Sequence, residues 1–259
     1  MEEYYKEDLA FIHDVGFNDY ALKSAPGILA ILAQHNIREG LVVDLGCGSG
    51  LSAQEFTKAG YDVLGIDISE SMIAMSRDKP LLYETLRERV YARARVPTAE
   101  FRIASLFEAE IPPCNAVTSI GECLNYQFDA KSDRQSLINL FHRIYNALNP
   151  GGVFIFDIAE PGQVTQGITK GFTEGEDWIV LVEKQENQQQ NILTRRIITF
   201  RKVGEHYRRD DEIHYQQLYT AEDIASELSR VGFQVQTMRN YGQYPLPKAH
   251  VAFVAHKFS

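Results

Sequence analysis

The chain has 259 residues, of which 44% are hydrophobic, and it carries 26 basic against 35 acidic side chains for a formal net charge of −9. This is enough apolar material for one large core, while the acidic excess argues against general binding to nucleic acid or to an anionic membrane, since both draw on surplus Lys and Arg. A small-molecule partner is expected. The three cysteines, Cys47, Cys114 and Cys123, give no disulfide framework and suit a reducing compartment. No apolar run approaches about 18 residues and no basic-then-apolar leader is visible, so the expectation is a cytoplasmic protein without a membrane span. No metal centre is expected.

In chain order, residues 2–36 are helical in pattern. Asn18 or Asp19 is placed to cap a short helix and Ser24 to cap the next, with Pro26 in its first turn and Ile28, Leu29, Ile31 and Leu32 on its apolar face. Residues 42–50 then read V-V-D-L-G-C-G-S-G. An apolar run ending in Asp44 and breaking into Gly46, Gly48 and Gly50 is a buried parallel strand opening into a loop that lets a ligand approach the backbone. A helix follows, with Leu51, Phe56 and Ala59 apolar and Gly60 as its stop. Residues 61–67 form a second strand that ends in Asp67, an acid placed to take ribose hydroxyls.

The spacing separates two cofactor classes. A dinucleotide fingerprint requires a glycine three residues after Gly48, where Leu51 stands instead. The pattern D-x-G-x-G-x-G from Asp44, with an acid at Asp67 and the I-D-I-S turn after it, resembles motif I and the ribose turn of the class I S-adenosylmethionine (SAM) dependent methyltransferases. That resemblance implies SAM as cofactor. It implies cofactor contacts from Asp44, Gly46, Cys47, Gly48, Ser49, Gly50, Asp67 and Ile68, with Asp44 helping to hold the ammonium of the amino-acid tail. It also implies that the N-terminal segment 1–36 is a helical lid, in which His13 and Tyr20 are the residues singled out, Tyr20 toward the cofactor.

Beyond Asp67, Ser69 is an N-cap for a helix bearing Met72, Ile73 and Met75 behind the adenosine site, and Pro80 ends it. Residues 81–96 carry a further helical pattern with arginines at 87, 89, 93 and 95, read chiefly as a solvated face. A third strand at 101–104 delivers Ser105 and Leu106 toward the adenine, where the family commonly places an acid or polar group. A fourth strand at 115–120 runs into G-E-C-L-N-Y, beyond the carboxyl end of a parallel strand where ligands bind. Gly121 and Glu122 are therefore expected on the cofactor wall, and Asn125 and Tyr126 on the substrate wall. Ser132 with Gln135 reads as a capping box, and the turn N-P-G-G at 149–152 leads into a fifth strand.

From 160 to 219 the pattern alternates. Trp178, Val180 and Val182 share one face of a strand, Ile197, Thr199 and Arg201 that of a second, and Glu212, His214, Gln216 and Leu218 that of a third. The polar tract 185–191 is a hairpin turn. This antiparallel insertion after strand five is either a substrate flap or an oligomer contact, through which a homodimer could form. Thr220 with Asp223 opens the last helix, Gly232 closes it, and 233–239 with 249–256 make a final hairpin.

The fold class expected is α/β, a seven-stranded Rossmann-like doubly wound sheet with a C-terminal antiparallel hairpin, in a single domain over 1–259. The lid, the G-E-C-L-N-Y loop and the insertion are similar to the small-molecule branch that includes amino-sugar and glycine N-methyltransferases. This implies in-line methyl transfer to a small acceptor, most readily an amine; O- or carboxyl-methylation and non-catalytic SAM binding are the alternatives. The absence of a D-P-P-Y or N-P-P-Y tetrapeptide after strand four disfavours methylators of flipped bases. Because an ammonium must lose its proton before attack, His13, His214 and Tyr126 are the candidate catalytic residues, with His214 also on the substrate wall.

Overall fold

The computed structural model describes residues 4–79, 96–128 and 132–258. The segment expected as an arginine-bearing helix over 81–96, and Pro80 before it, fall outside those residues except for Val96. The central sheet is built from β1 (Leu41–Leu45), β2 (Asp62–Asp67), β3 (Ala99–Ile103), β4 (Cys114–Ser119), β5 (Leu148–Ala159), β10 (Gln234–Met238) and β13 (His250–His256), in the order β10-β13-β5-β4-β1-β2-β3. The first five are parallel to one another, β13 runs antiparallel to β5, and β10 at the edge runs antiparallel to β13.

Helices cover both faces, so the strands are apolar on both sides. On one face α2 (Asp19–Gln34), α3 (Leu51–Lys58) and α4 (Glu70–Asp78) bury Ile28, Leu32, Phe56 and Ile73 against Val42, Val63 and Ala116. On the other, α5 (Arg134–Ala147) and α6 (Ala221–Val231) bury Leu140, Phe141, Ile144 and Leu228 against Val43, Val117 and Phe154. Chain order reverses between β1 and β4, the place where an open parallel sheet leaves a crevice beyond its strand ends.

A second, four-stranded antiparallel sheet lies between β5 and α6: β6 (Ile168–Glu174), β7 (Trp178–Asn187), β8 (Ile192–Val203) and β9 (His206–Gln217). Its inner face packs on α1 (Glu7–Gly16), with Leu9 and Ile12 against Trp178, Val180 and Ile197. Asp8 anchors the helix, accepting from Arg208 Nε and Nη2 at 2.5 Å each and from Arg201 Nη1 at 3.2 Å. The backbone N–H groups of Tyr5 and Lys6 donate to Glu212 at 2.8 and 3.0 Å. At its other end Asp14 pairs with Lys79 and accepts from the Ser49 hydroxyl.

Several local expectations shift. Helix α2 is continuous through Pro26, and Ser24 is buried within it instead of capping a second helix, because the packing of Ile28 and Leu32 outweighs the proline break. The cap of α5 is Asp133, which accepts from Ser136 N at 2.7 Å; the box sits one residue later than Ser132 and Gln135 suggest. Pairing of β5 begins at Leu148 and takes the N-P-G-G turn into the strand through an irregularity between Cys114 and Ala116. The insertion has one strand more than its alternation showed, β6, whose residues are all exposed. Within the final hairpin, β11 (Asn240–Tyr241) and β12 (Tyr244–Pro245) form a two-stranded excursion.

That excursion lies against Gly27 of α2. A Cβ there would fall on the carbonyl carbon of Tyr241 and within 2.6 Å of its oxygen and of Gly242 N. Glycine to alanine ordinarily favours a helix interior by about 1 kcal/mol, but here two backbones must separate, so Gly27→Ala should destabilise the fold by about 1–3 kcal/mol. Urea unfolding of the two proteins measures this; an unchanged or raised midpoint would show that the close approach is not required.

Candidate active site

Beyond the carboxyl ends of β1 to β4 lies a cavity of about 650 Å3, well within the range of ligand pockets. Its floor is the glycine loop and the turns after the strands: Gly46 and Gly48, Asp67 and Ile68, Ser105 and Leu106, Gly121 and Glu122. Met72 closes one side. Leu9, His13 and Phe17 of α1 and its extension, with Tyr20 of α2, form the cover. The roof is the inner face of the antiparallel sheet, with Val180, Val182 and Lys184 from β7 and Arg195 and Ile197 from β8.

The loop conformation follows from its glycines, since Gly46, Gly48 and Gly50 all have positive φ, at 75°, 54° and 80°. The Asp67 carboxylate ties the loop to the end of β2, accepting from Gly48 N at 2.8 Å and Ser69 N at 2.9 Å. Burial raises its pKa, opposed by those backbone donors. It remains on the cavity wall with acceptor capacity to spare.

Across the cavity stands Glu122. Its φ is 56°, unusual for a residue with a side chain, and Asp157 of β5 holds the turn by accepting from Gly121 N at 3.1 Å and Glu122 N at 2.6 Å. One Glu122 oxygen meets Arg195 Nη1 at 2.5 Å and the other meets His250 Nε2 at 2.5 Å. The Nδ1 of His250 lies 2.9 Å from the Lys248 carbonyl, so a ring donating on both sides is the imidazolium. Burial pushes the Glu122 carboxyl up, but Arg195 and His250 more than offset this and hold it well below the usual carboxylate range. Burial likewise lowers His250, and the bond and charge of Glu122 carry it above the ordinary histidine value. Arg195 also donates to the Tyr126 hydroxyl at 3.2 Å, which in turn lies 3.1 Å from that of Tyr5. Burial pushes the Tyr126 phenol up to about 12.

Of the residues picked out in the sequence, His13, Tyr20, Gly46, Gly48, Asp67, Ile68, Met72, Ser105, Leu106, Gly121, Glu122 and Tyr126 line this one cavity. Others lie off its wall. Asp44 is 2% exposed, accepts from the Thr118 hydroxyl at 2.6 Å, and is raised by burial to about 6. Cys47 and Gly50 support the loop from behind, and Ser49 faces Asp14. Asn125 is used up structurally: its amide donates to Ala159 O at 2.9 Å and Gln217 O at 2.6 Å and accepts from Ala159 N at 3.0 Å, stitching β5 to β9. His214 is fully buried on Glu212 at 2.8 Å, and the rings of Tyr5, Tyr126 and Phe128, at 5.1, 5.8 and 5.0 Å, stand between it and the cavity. That packing corrects the expectation of a histidine open to substrate at this position.

Lys184, Arg195 and His250 were not picked out in the sequence. The first two were within reach, because they extend by one step of two the alternation already visible in Trp178-Val180-Val182 and in Ile197-Thr199-Arg201. His250 opens the last strand with no local signal that it would meet Glu122.

The Glu122–His250 pair sets a pH dependence. A raised His250 pKa contributes stability that is complete below about pH 6.5 and lost as pH rises through the folded value, whereas the lowered Glu122 pKa contributes above about pH 4.3 and is lost on acidification. A double-mutant cycle with Glu122→Gln and His250→Gln, followed by urea unfolding, should show a coupling that is largest near pH 6 and falls as pH rises toward 10. A coupling constant over that range would rule out the charged pair.

The chain matches the methyltransferase domain family over residues 17–238. A relative from Geobacillus sp. (strain WCH70), which bears a provisional methyltransferase name, is 28% identical over 198 residues, or 75% of this chain and 74% of its own. Among solved structures, an S-adenosylmethionine-dependent methyltransferase from Clostridium acetobutylicum ATCC 824 superimposes with a TM-score of 0.76 at 19% identity, covering 98% of this chain and 99% of that one. The sugar N-methyltransferase KedS8 from Streptoalloteichus sp ATCC 53650 does so with a TM-score of 0.71 at 17% identity, covering 96% and 92%. With a family match over most of its length, on a seven-stranded sheet whose glycine loop opens into the cavity beside Asp67, the chain belongs to the class I SAM-dependent methyltransferases.

Proposed function

We propose that the chain transfers the methyl group of SAM to the nitrogen of a small-molecule amine, with segment 4–36 as a lid and the antiparallel sheet as the roof over the acceptor. The observation that carries this reading is the continuous cavity running from Asp67 to Arg195 beneath α1 and β7–β8, whose volume of about 650 Å3 suits a cofactor and a small acceptor. That a sugar N-methyltransferase shares the fold over 96% of this chain supports the choice of nitrogen.

The residues present suit SAM. Asp67 is placed for the ribose hydroxyls, and Ile68, Met72, Ser105 and Leu106 form a slot of adenine character. Tyr20 lines the cavity on the lid side, and burial together with the neighbouring Asp157 carboxylate pushes its phenol up, keeping it a neutral donor. Gly121 has φ 92° and nothing within 4 Å of where its Cβ would be, leaving that end of the tail unobstructed. When bound, SAM supplies an electrophilic methyl on a positively charged sulfur.

The chain then orients the amine and governs its proton. Arg195, His250 and Lys184 outnumber Glu122 on the acceptor side, and like charge disfavours an ammonium, so the acceptor is shifted toward the neutral amine that has a free lone pair. His250 is already a donor on both nitrogens, and His214 lies behind the aromatic layer. His13 is left as the proton acceptor, neutral because burial lowers its pKa, with Tyr5 edge-on at 5.4 Å. Closure of the cover excludes water and holds the reactants in line, which supplies most of the rate in a displacement of this kind.

Asp67→Ala should weaken SAM binding by about 1.5–3 kcal/mol in calorimetry, the range for hydrogen bonds to a charged group, while leaving the fold intact. Unchanged affinity removes Asp67 from the site. His13→Asn should lower turnover about 10²-fold at nearly constant SAM affinity; full activity across pH 6 to 9 would dismiss it as the base. The acceptor itself is decided by methyl-labelled SAM against a panel of amines, alcohols and carboxylates. Label appearing only on oxygen would overturn the nitrogen reading, and no SAM binding at all would overturn the cofactor reading.

A further inference from the structure

Along the cavity side of β7 the residues run Trp178, Val180, Val182 and then Lys184, so an apolar wall ends in an ammonium. On β8 the same happens at Ile197 and Arg195, and Lys184 and Arg195 are direct cross-strand partners. Like charges directly opposite one another repel and weaken the strand pair. The next position along this row, opposite Arg195 on β9, is His214. Two of the three have a carboxylate, Arg195 with Glu122 at 2.5 Å and His214 with Glu212 at 2.8 Å. Lys184 makes no ion pair with any described residue, and Glu122 is already divided between Arg195 and His250. Burial and the Arg195 charge both push the Lys184 ammonium toward its neutral form, a state that a negative group between the two would relieve.

We propose that the gap between Lys184 and Arg195 is an anion subsite and that the methyl acceptor carries a carboxylate or a phosphate which it grips. The inference rests on the reading of this cavity as the acceptor site and names the substrate class within it: a small molecule with its nucleophile toward the glycine loop and an anionic group beneath the roof. An anion there gives Lys184 the ion pair that it lacks among the described residues. The apolar run Val180 and Val182 next to it sets the uncharged part of the molecule.

The test uses the full chain saturated with S-adenosylhomocysteine and titrated calorimetrically with inorganic phosphate and, separately, with acetate at constant ionic strength. One of the two should bind saturably, and Lys184→Met should weaken that binding about tenfold or more, the scale of a charged hydrogen bond, without changing S-adenosylhomocysteine affinity. Lys170→Met, on the exposed β6 and paired with Glu183 at 2.6 Å, should leave anion binding as it was. Preference for phosphate identifies a phosphorylated acceptor and preference for acetate a carboxylated one. Absence of saturable binding of either anion overturns the proposal, as does undiminished binding in Lys184→Met or an equal loss in Lys170→Met. If S-adenosylhomocysteine itself fails to bind, the cofactor reading falls separately, and the same anion titrations are then read on the chain alone.

Discussion

The site depends on one buried carboxylate. Glu122 comes off the end of β4 in a left-handed conformation, and it joins the central sheet to the roof through Arg195 and to the antiparallel edge through His250. Three segments far apart in the chain meet on its two oxygens. Breaking such a pair from one side leaves an uncompensated charge in a dry environment, at a cost of about 3–5 kcal/mol. The strain at Glu122 is offset from below by Asp157, which accepts both the Gly121 and Glu122 N–H groups and the Tyr241 hydroxyl, and which burial raises to about 6. Asp157 thus fixes the backbone and Glu122 fixes the tertiary arrangement, so a single pair of acids sets where the roof stands over the floor.

Much of this architecture was legible because it is written in local period and local chemistry. The run V-V-D-L-G-C-G-S-G gave strand, loop and helix start, and Ser69, Thr220 and Gly232 marked helix ends by capping chemistry that needs only near neighbours. Alternation of two exposed the insertion and even the face its strands turn inward. The errors were of the same local kind: Ser24 and Pro26 do not start a second helix but lie inside α2, since tertiary burial on both sides outweighs one lost hydrogen bond, and the cap of α5 slipped by one residue where Ser132 and Asp133 compete.

The site was legible in part, along a clear physical line. Residues on the floor are close in sequence to a strand end, so position alone sends Gly46, Asp67, Ser105 and Glu122 to the cavity. Which way a polar side chain turns is decided by partners that sequence order does not reveal. Asn125 and His214 sit in the expected segments yet are spent on Ala159, Gln217 and Glu212. Conversely Arg195 and His250 are some 70 and 130 residues from Glu122, and only folding makes them neighbours.

Helix α1 belongs to neither sheet and is fastened to both. At its start Asp8 is gripped by two guanidinium groups of β8 and β9, while at its end Asp14 reaches Lys79 and Ser49 on the cofactor side. The two fastenings differ in exposure: Asp8 is 3% exposed and takes two guanidinium groups, whereas Asp14 and Lys79, 15% and 21% exposed, pair with each other and share Ser49. Helix α1 therefore ties the antiparallel sheet to the glycine loop, through a buried joint at one end and a more exposed one at the other.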